Sequence, residues 1–362
     1  MNDSKAKFPK PTFDGARILV VGGAGFVGSN LVHRLLADDP KEVVVIDNLL
    51  SADAANVPDD PRVRFVANSV TDDLVLRDVP DQLDIAFHLA CFHGNQSSIA
   101  DPIADHDNNN ITSLKLFERL KDIRSLRKVV YAAAGCAVAK KTRDEPAATS
   151  EDAPVDLFHD SPYSISKLVG EMYGNYYFRR HHMPFTKARF QNVYGPHEIL
   201  GAGRWRGTPH TVWRNVTPTF VFKALHGEAL PLINGGKDGR DFIFVEDLVE
   251  GLTRIAAYGE PGEAYNLASG RETRIHDLAT IINRLTQNAT PPDIAPSRDW
   301  DNSGRRYGDP TKSLQKLGFL AKSELEVGLA QTVTWTRDNL ALIKRCMAQH
   351  AARVPDVARY LP

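Results

Sequence analysis

Ala16-Arg17-Ile18-Leu19-Val20-Val21-Gly22-Gly23-Ala24-Gly25-Phe26-Val27-Gly28 is the stretch that decides the fold. Ile18 to Val21 is branched and apolar without alternation, the pattern of a strand covered on both faces of a parallel sheet. From Phe26 to Leu36, the residues Phe26, Val27, Leu31, Val32, Leu35 and Leu36 recur at helical spacing. Between strand and helix, Gly22, Gly25 and Gly28 spell G-x-x-G-x-x-G. Such a turn leaves bare backbone at a helix N-terminus, where unpaired N–H groups and the helix dipole favour an anion such as a pyrophosphate. Asp47 closes the next apolar run, Val43 to Ile46, 19 residues after Gly28. A carboxylate there accepts hydrogen bonds from an adenosine ribose and repels a 2′-phosphate, so the expected cofactor is NAD rather than NADP.

Outward from this core, Val63 to Val66, Ile85 to His88 and Lys128 to Ala132 read as further apolar strands, with a helical pattern from Ile111 to Leu120 between the last two. Strand and helix in alternation imply an α/β fold with a Rossmann-type doubly wound parallel sheet. Gly195 to Pro218 is rich in Gly, Pro, Trp and Arg and lacks periodicity, as expected of a functional loop. Helical patterns return at Phe220 to Leu225, Ile275 to Leu285, Thr311 to Leu317 and Val327 to Ile343, and the tail from Arg353 to Pro362 is expected to be peripheral. These later segments imply a smaller, mostly C-terminal α/β lobe.

The 362 residues fit two domains, or one large α/β domain with an added lobe. Lys and Arg total 44 against 45 Asp and Glu, so there is no electrostatic reason to expect nucleic acid or an anionic membrane as partner. With 42% hydrophobic and 25% charged residues, the chain is not a disordered one. Cys91, Cys136 and Cys346 make neither a disulfide framework nor a zinc-ligand spacing; no metal is expected, and the simplest compartment is a reducing cytoplasm. Met1 to Lys10 has no apolar h-region, and the longest apolar stretch, Val129 to Ala139, has 11 residues where a membrane span needs about 20.

Tyr163-Ser164-Ile165-Ser166-Lys167 places a phenol and an ammonium one helical turn apart on one face. A phenol with a reference pKa of about 10 is a poor base at neutral pH. A neighbouring ammonium and a cationic nicotinamide both favour the phenolate, which then takes a proton from a sugar hydroxyl as hydride leaves carbon.

Taken together, these motifs resemble the extended short-chain dehydrogenase/reductase family, the NAD-dependent nucleotide-sugar epimerases and dehydratases of the UDP-glucose 4-epimerase kind. The resemblance runs from about Ala16 to Trp335. His88-Leu89-Ala90, Asn110-Ile111, Arg189-Phe190-Gln191-Asn192-Val193-Tyr194-Gly195-Pro196, Arg240-Asp241-Phe242-Ile243-Phe244-Val245-Glu246-Asp247, Tyr265-Asn266-Leu267 and Asp309-Pro310-Thr311-Lys312 also match family segments. The resemblance implies an NAD-binding Rossmann domain over 13–192 with a return segment at about 240–268. It implies a nucleotide-sugar lobe over 193–239 and 269–350. Gly22, Gly25, Phe26, Val27, Gly28, Asp47, Asn48, Ser69, Val70, Leu89, Ala90, Asn110, Tyr163 and Lys167 are the implied cofactor residues. Tyr163 and Lys167 are the implied catalytic pair, and Asn192, Arg204, Arg240, Arg298 and Arg306 the implied substrate contacts. Guanidinium groups suit the diphosphate because their planar fork binds it bidentately; for Arg298, a solvated surface charge is an equal reading. Arg204-Trp205-Arg206 and Arg305-Arg306 lie in segments that border the nucleotide-sugar in the family. The implied activity is epimerisation by transient oxidation of a sugar hydroxyl, C4 first, with hydride return. The alternatives are a dehydratase, a 3- or 5-epimerase using Cys136, or a silent dinucleotide sensor. The family implies a homodimer.

The chain departs from the family in three places. Ala134 stands where the family carries the Ser or Thr that bonds the sugar hydroxyl, and the Thr-Asp-Glu of 4,6-dehydratases is missing. Cys136, two residues on, is either an acid/base as in GDP-mannose 3,5-epimerases or a packed thiol; the Lys that partners it in those enzymes aligns near Val216. Asn68-Ser69 replaces the usual Gly-Asp beside adenine.

Overall fold

The computed structural model describes residues 8–138, 142–298, 301 and 304–361, except the side chain of Cys136. In chain order the elements are β1 (Arg17–Val21), α1 (Phe26–Leu36), β2 (Glu42–Ile46), β3 (Val63–Val66), α2 (Asp73–Arg77), β4 (Ile85–His88), α3 (Asn95–Ala100), α4 (Pro102–His106), α5 (Thr112–Leu120), β5 (Lys128–Ala134) and α6 (Pro162–His181). They continue as β6 (Phe185–Phe190), β7 (Asn192–Tyr194), α7 (Val216–Leu225), β8 (Pro231–Ile233), β9 (Gly239–Arg240), β10 (Phe242–Phe244), α8 (Val245–Tyr258) and β11 (Ala264–Leu267). The last are β12 (Thr273–Arg274), α9 (Ile275–Thr286), β13 (Asp293–Ala295), α10 (Thr311–Leu317), α11 (Leu325–Asp338) and α12 (Leu340–Ala348).

Seven parallel strands pair in the order β11-β6-β5-β4-β1-β2-β3, the doubly wound sheet expected from the strand–helix alternation. The winding reverses between β1 and β4, which opens a crevice at their carboxyl ends. The strands are apolar on both faces because both are covered: Val20, Val43 and Phe87 face one buried cluster, and Leu19, Val44 and Ala86 another. The first cluster continues into α7, α8, α9 and α11 through Phe220, Leu248, Leu278 and Leu329. Three two-stranded pairs, β7 with β10, β8 with β13 and β9 with β12, build the second layer over the crevice. Buried Asp241 ties it down, accepting from the backbone N–H groups of Ser269 (2.9 Å), Gly270 (3.1 Å) and Gly308 (3.2 Å).

Three expectations are corrected. The pattern from Val327 to Ile343 is not one helix but α11 and α12, broken at Asn339, whose side-chain amide donates to the Trp335 carbonyl (2.8 Å) and so competes with the helical ladder. The helix expected from Ile111 is preceded by a π-helical turn over Asp107–Ile111 that joins α4 to α5. The tail is not peripheral as far as Tyr360: Val354, Val357 and Tyr360 are buried against Leu200, Phe222 and Met347 in a core of their own. Among the described residues no helix is long and apolar enough to cross a membrane, and Cys91 and Cys346 are free thiols.

Candidate active site

The glycine turn is required by steric contact. Gly22 has φ +86°, and a Cβ there would lie 2.7 Å from Ala90 Cα. A Cβ on Gly28 would overlap the Gly22 carbonyl oxygen and lie 2.7 Å from Gly23 Cα. The turn therefore presses against the end of β4, and α1 opens at Gly25 with no side chain capping its N-terminus. Asp47 points into this turn: Oδ2 accepts from the Ala24 N–H (3.1 Å) and Oδ1 from the Leu49 N–H (2.8 Å). Burial raises its pKa above the usual carboxylate range, and these N–H bonds oppose the shift. The Ser69 hydroxyl lies 2.9 Å from the Thr71 hydroxyl and accepts from the Thr71 N–H (3.1 Å).

One cavity of ≈ 670 Å³ runs beneath the turn. Gly22, Gly25, Phe26, Val27, Gly28, Asp47, Asn48, Ser69, Val70, Leu89 and Ala90 all line it. Bare backbone, an open helix end and a carboxylate on one wall are the parts that a dinucleotide's pyrophosphate and ribose need.

Tyr163 and Lys167 line the same cavity. Their helix starts where Ser161 caps the Ser164 N–H and Pro162 takes the first turn. Lys167 is buried, donates from Nζ to the Ala132 carbonyl (2.9 Å) and stands 5.8 Å from the centre of the Tyr163 ring. The Tyr163 N–H donates to Ser98 Oγ (3.2 Å), and its ring packs on Ala134, Ala137, Val138 and Leu168 and edge-to-face on His93 at 5.8 Å. Ala134, paired with Phe190, lines the cavity and carries no hydroxyl. The side chain of Cys136 lies outside the described residues.

Asn110 does not line the cavity; its Nδ2 lies 3.1 Å from His106 Nδ1. The π-helical turn adds a residue to the helix, and both Asn109 and Asn110 are buried in it. Asn109 Oδ1 accepts from the Phe92 N–H (2.8 Å), and Nδ2 donates to Asp105 Oδ1 (2.8 Å) and Ser166 Oγ (3.1 Å), tying the segment after β4 to α6.

Asn192, Arg240, Arg298 and Arg306 line the cavity on its remaining side. Buried Arg240 donates to the carbonyls of Gly239 (2.8 Å) and Gly304, and the Arg306 N–H donates to the Gly239 carbonyl (3.3 Å). Arg204 is exposed and does not line the cavity, and its guanidinium lies 3.5 Å from the Asn48 carbonyl. Arg305 is also outside, held bidentately by Glu272 (2.7 and 2.6 Å) and by Glu145 (3.1 Å). Arg189 of the Arg189–Pro196 segment is structural, fixed to Glu171 by two bonds (2.9 and 2.8 Å).

Sequence reasoning missed Glu198, Trp213, Arg214 and Asn215, all of which line the cavity. Burial pushes the Glu198 carboxyl up to about 7. Glu198 Oε1 accepts from the Asn215 amide, and Oε2 has no hydrogen-bond partner among the described residues. Asn215 stands at the N-cap of α7 yet does not cap it, because its amide is turned to Glu198. The one sequence signal available was that Asn just before an apolar helical run; nothing local marks Glu198.

A profile of the NAD-dependent epimerase/dehydratase family matches residues 18–268. A UDP-glucose 4-epimerase of Mycolicibacterium smegmatis is 32% identical over 326 residues, which cover 89% of this chain and 99% of that protein. The Bordetella bronchiseptica enzyme WbmF, solved in complex with NAD+ and UDP, is 56% identical and superposes with a TM-score of 0.85 over 94% of this chain and 98% of its own. A UDP-glucose 4-epimerase of Thermotoga maritima, solved with UDP-glucose, is 28% identical with a TM-score of 0.80 over 90% and 99% of the two chains.

Proposed function

The chain belongs to the NAD-dependent epimerase/dehydratase family, and from that premise we propose that it is a nucleotide-sugar epimerase that transiently oxidises a sugar hydroxyl, at C4. One observation carries this reading: Tyr163 and Lys167 share a single cavity with the glycine turn and Asp47 and with Arg240 and Arg306. The UDP bound to WbmF and the UDP-glucose bound to the Thermotoga enzyme support a uridine diphosphate sugar.

In this reading the N–H groups of Gly25 to Gly28 hold the NAD pyrophosphate, Asp47 and Asn48 hold the adenosine ribose, and Ser69 and Val70 flank adenine. When bound, NAD+ supplies a hydride acceptor and, once reduced, the donor that returns the hydride. Tyr163 takes the hydroxyl proton and gives it back, and the Lys167 ammonium favours the phenolate. Arg240 and Arg298 hold the diphosphate, whose binding survives while the keto-sugar turns over. At ≈ 670 Å³ the cavity is of the size that encloses such ligands. The exposed apolar residues Ile165, Met172, Tyr173 and Tyr176 on one face of α6 support a homodimer.

The test is Tyr163→Phe, assayed by proton NMR with a panel of UDP-, GDP-, CDP- and dTDP-sugars that includes UDP-glucose and UDP-glucuronate. Turnover falls by at least about a hundredfold, about 2.7 kcal/mol, while stabilisation by NAD+ persists. A variant that keeps more than about a tenth of the rate removes Tyr163 as the principal base.

A further inference from the structure

We infer that His93 is a substrate contact: its imidazole N–H donates to the sugar oxygen that Tyr163 protonates and deprotonates, in place of a hydroxyl from the β5 strand. The inference rests on the reaction proposed above. A phenol that takes a proton from a sugar hydroxyl needs a second group to hold that oxygen, because a free hydroxyl rotates away from the base. The strand that passes beneath Tyr163 offers Ala132, Ala133 and Ala134 to the cavity and no hydrogen-bonding side chain. Of the side chains packed on the Tyr163 ring, Ala134, Ala137, Val138 and Leu168 are apolar. Lys167 has its ammonium on the Ala132 carbonyl. His93 packs edge-to-face on that ring at 5.8 Å, lines the cavity and carries hydrogen-bonding ring nitrogens.

The backbone that carries His93 is pinned on both sides of the ring. The Phe92 N–H donates to Asn109 Oδ1 (2.8 Å), and the His93 carbonyl accepts from Arg206 Nη1 (2.9 Å). Arg206 is itself buried and lies 5.9 Å from the centre of the Phe92 ring. Yet the ring nitrogens of His93 make no hydrogen bond among the described residues. A ring carried on backbone held this firmly, with its nitrogens left over and a cavity in front of it, is arranged for a ligand.

The ring is also in the right charge state. Burial, with Arg206, Arg214 and Lys167 nearby, pushes its pKa down to about 3. The neutral imidazole keeps one N–H donor at working pH and does not protonate the Tyr163 phenolate. In the oxidation half-reaction the hydroxyl proton moves to Tyr163 Oη, the hydride on the same carbon moves to NAD+, and the C–O bond becomes C=O. The His93 N–H donates to that oxygen before and after and keeps its proton. Hydride return reverses each transfer.

His93→Phe keeps the ring edge against Tyr163 and removes both nitrogens. With the panel sugar that the wild type turns over fastest, kcat falls about a hundredfold, as for loss of one donor to an oxygen that gains charge, while KM stays within about threefold. Adding Ala134→Ser to His93→Phe recovers at least about tenfold by returning a hydroxyl to the strand. His93→Asn, which keeps a donor, retains more activity than His93→Phe. Independently of turnover, the His93 imidazole resonance in ¹⁵N-histidine-labelled, NAD+-loaded Tyr163→Phe protein shifts when that sugar nucleotide is added and not when UDP is added. Wild-type kcat in His93→Phe at an unchanged melting temperature overturns the His93 assignment and leaves the epimerase reading standing, as does an imidazole resonance unmoved by the sugar. A His93→Phe protein that does not fold passes the decision to His93→Asn and the resonance. A wild type that turns over no panel sugar overturns both readings.

Discussion

The two halves of the cavity treat their own polar atoms differently. Around the glycine turn, Asp47 and Ser69 spend their oxygens on neighbouring backbone N–H groups, and the turn is closed by backbone contact with the end of β4. On the side built by residues 198–219, Glu198 Oε2, Trp213 Nε1, Arg214 Nε and Thr219 Oγ1 are buried with no partner among the described residues, as is Ser51 Oγ across from them. Buried polar atoms without partners are costly, on the order of 1–3 kcal/mol each. The first half is thus a rigid cradle with an open helix end, and the second is incomplete in its own hydrogen bonds among the described residues.

The largest effect expected from breaking this contrast is Gly28→Ala. One methyl group meets the Gly22 carbonyl oxygen and backbone, neither of which can move aside. NAD+-dependent thermal stabilisation disappears; an NAD+ shift equal to that of the wild type would mean that the turn is soft and the cradle is not rigid.

Glu198→Gln probes the incomplete half. Its carboxyl is raised from a usual value of 4.5 to about 7 by burial. A carboxyl whose folded pKa is raised favours the protonated folded state, so its contribution is fully present below about pH 4.5 and is lost as pH rises through 7. The neutral amide removes that dependence. Chemical denaturation at pH 5 and pH 8 is expected to show the variant more stable than wild type at pH 8 by on the order of 3 kcal/mol, with little difference at pH 5. An identical pH dependence in both proteins means that Glu198 is not held neutral by burial.

Asp47→Ala comes next. Removing the carboxylate weakens NAD+ binding by about tenfold or more, about 1.4 kcal/mol, and narrows the preference over NADP+. Equal affinity of the wild type for the two cofactors, measured by calorimetry, breaks the assignment. Arg204→Ala is the smallest. Its exposed guanidinium reaches one carbonyl at 3.5 Å, so melting temperature and KM for the sugar nucleotide are expected to stay at wild-type values. A rise in KM of tenfold would return Arg204 to the substrate site.

Much of the cradle was legible because its signals are local. A strand, a G-x-x-G-x-x-G turn and a helix are contiguous, Asp47 ends the next strand, and Tyr163 and Lys167 need only one helical turn to meet. Arg240 and Arg306 were legible through family segments, and both line the cavity. Local patterns say nothing of neighbourhoods that depend on register or on distant packing. Asn110, one of the cofactor residues implied by the resemblance, does not line the cavity, and its neighbour Asn109, in the π-helical turn, bridges to Ser166.

The amino-acid sequence by itself determined the doubly wound sheet, the glycine turn with its acidic partner and the tyrosine–lysine pair, since each follows from residues within one or two elements of each other. Only the tertiary structure decided which arginine of the Arg204-Trp205-Arg206 run is buried, that Glu198 is stripped of water, and that His93 stands against Tyr163. The reason is that burial is a property of the assembled chain. Arg206 and His93 are 113 residues apart in sequence, and no pattern within either segment encodes the bond that joins them.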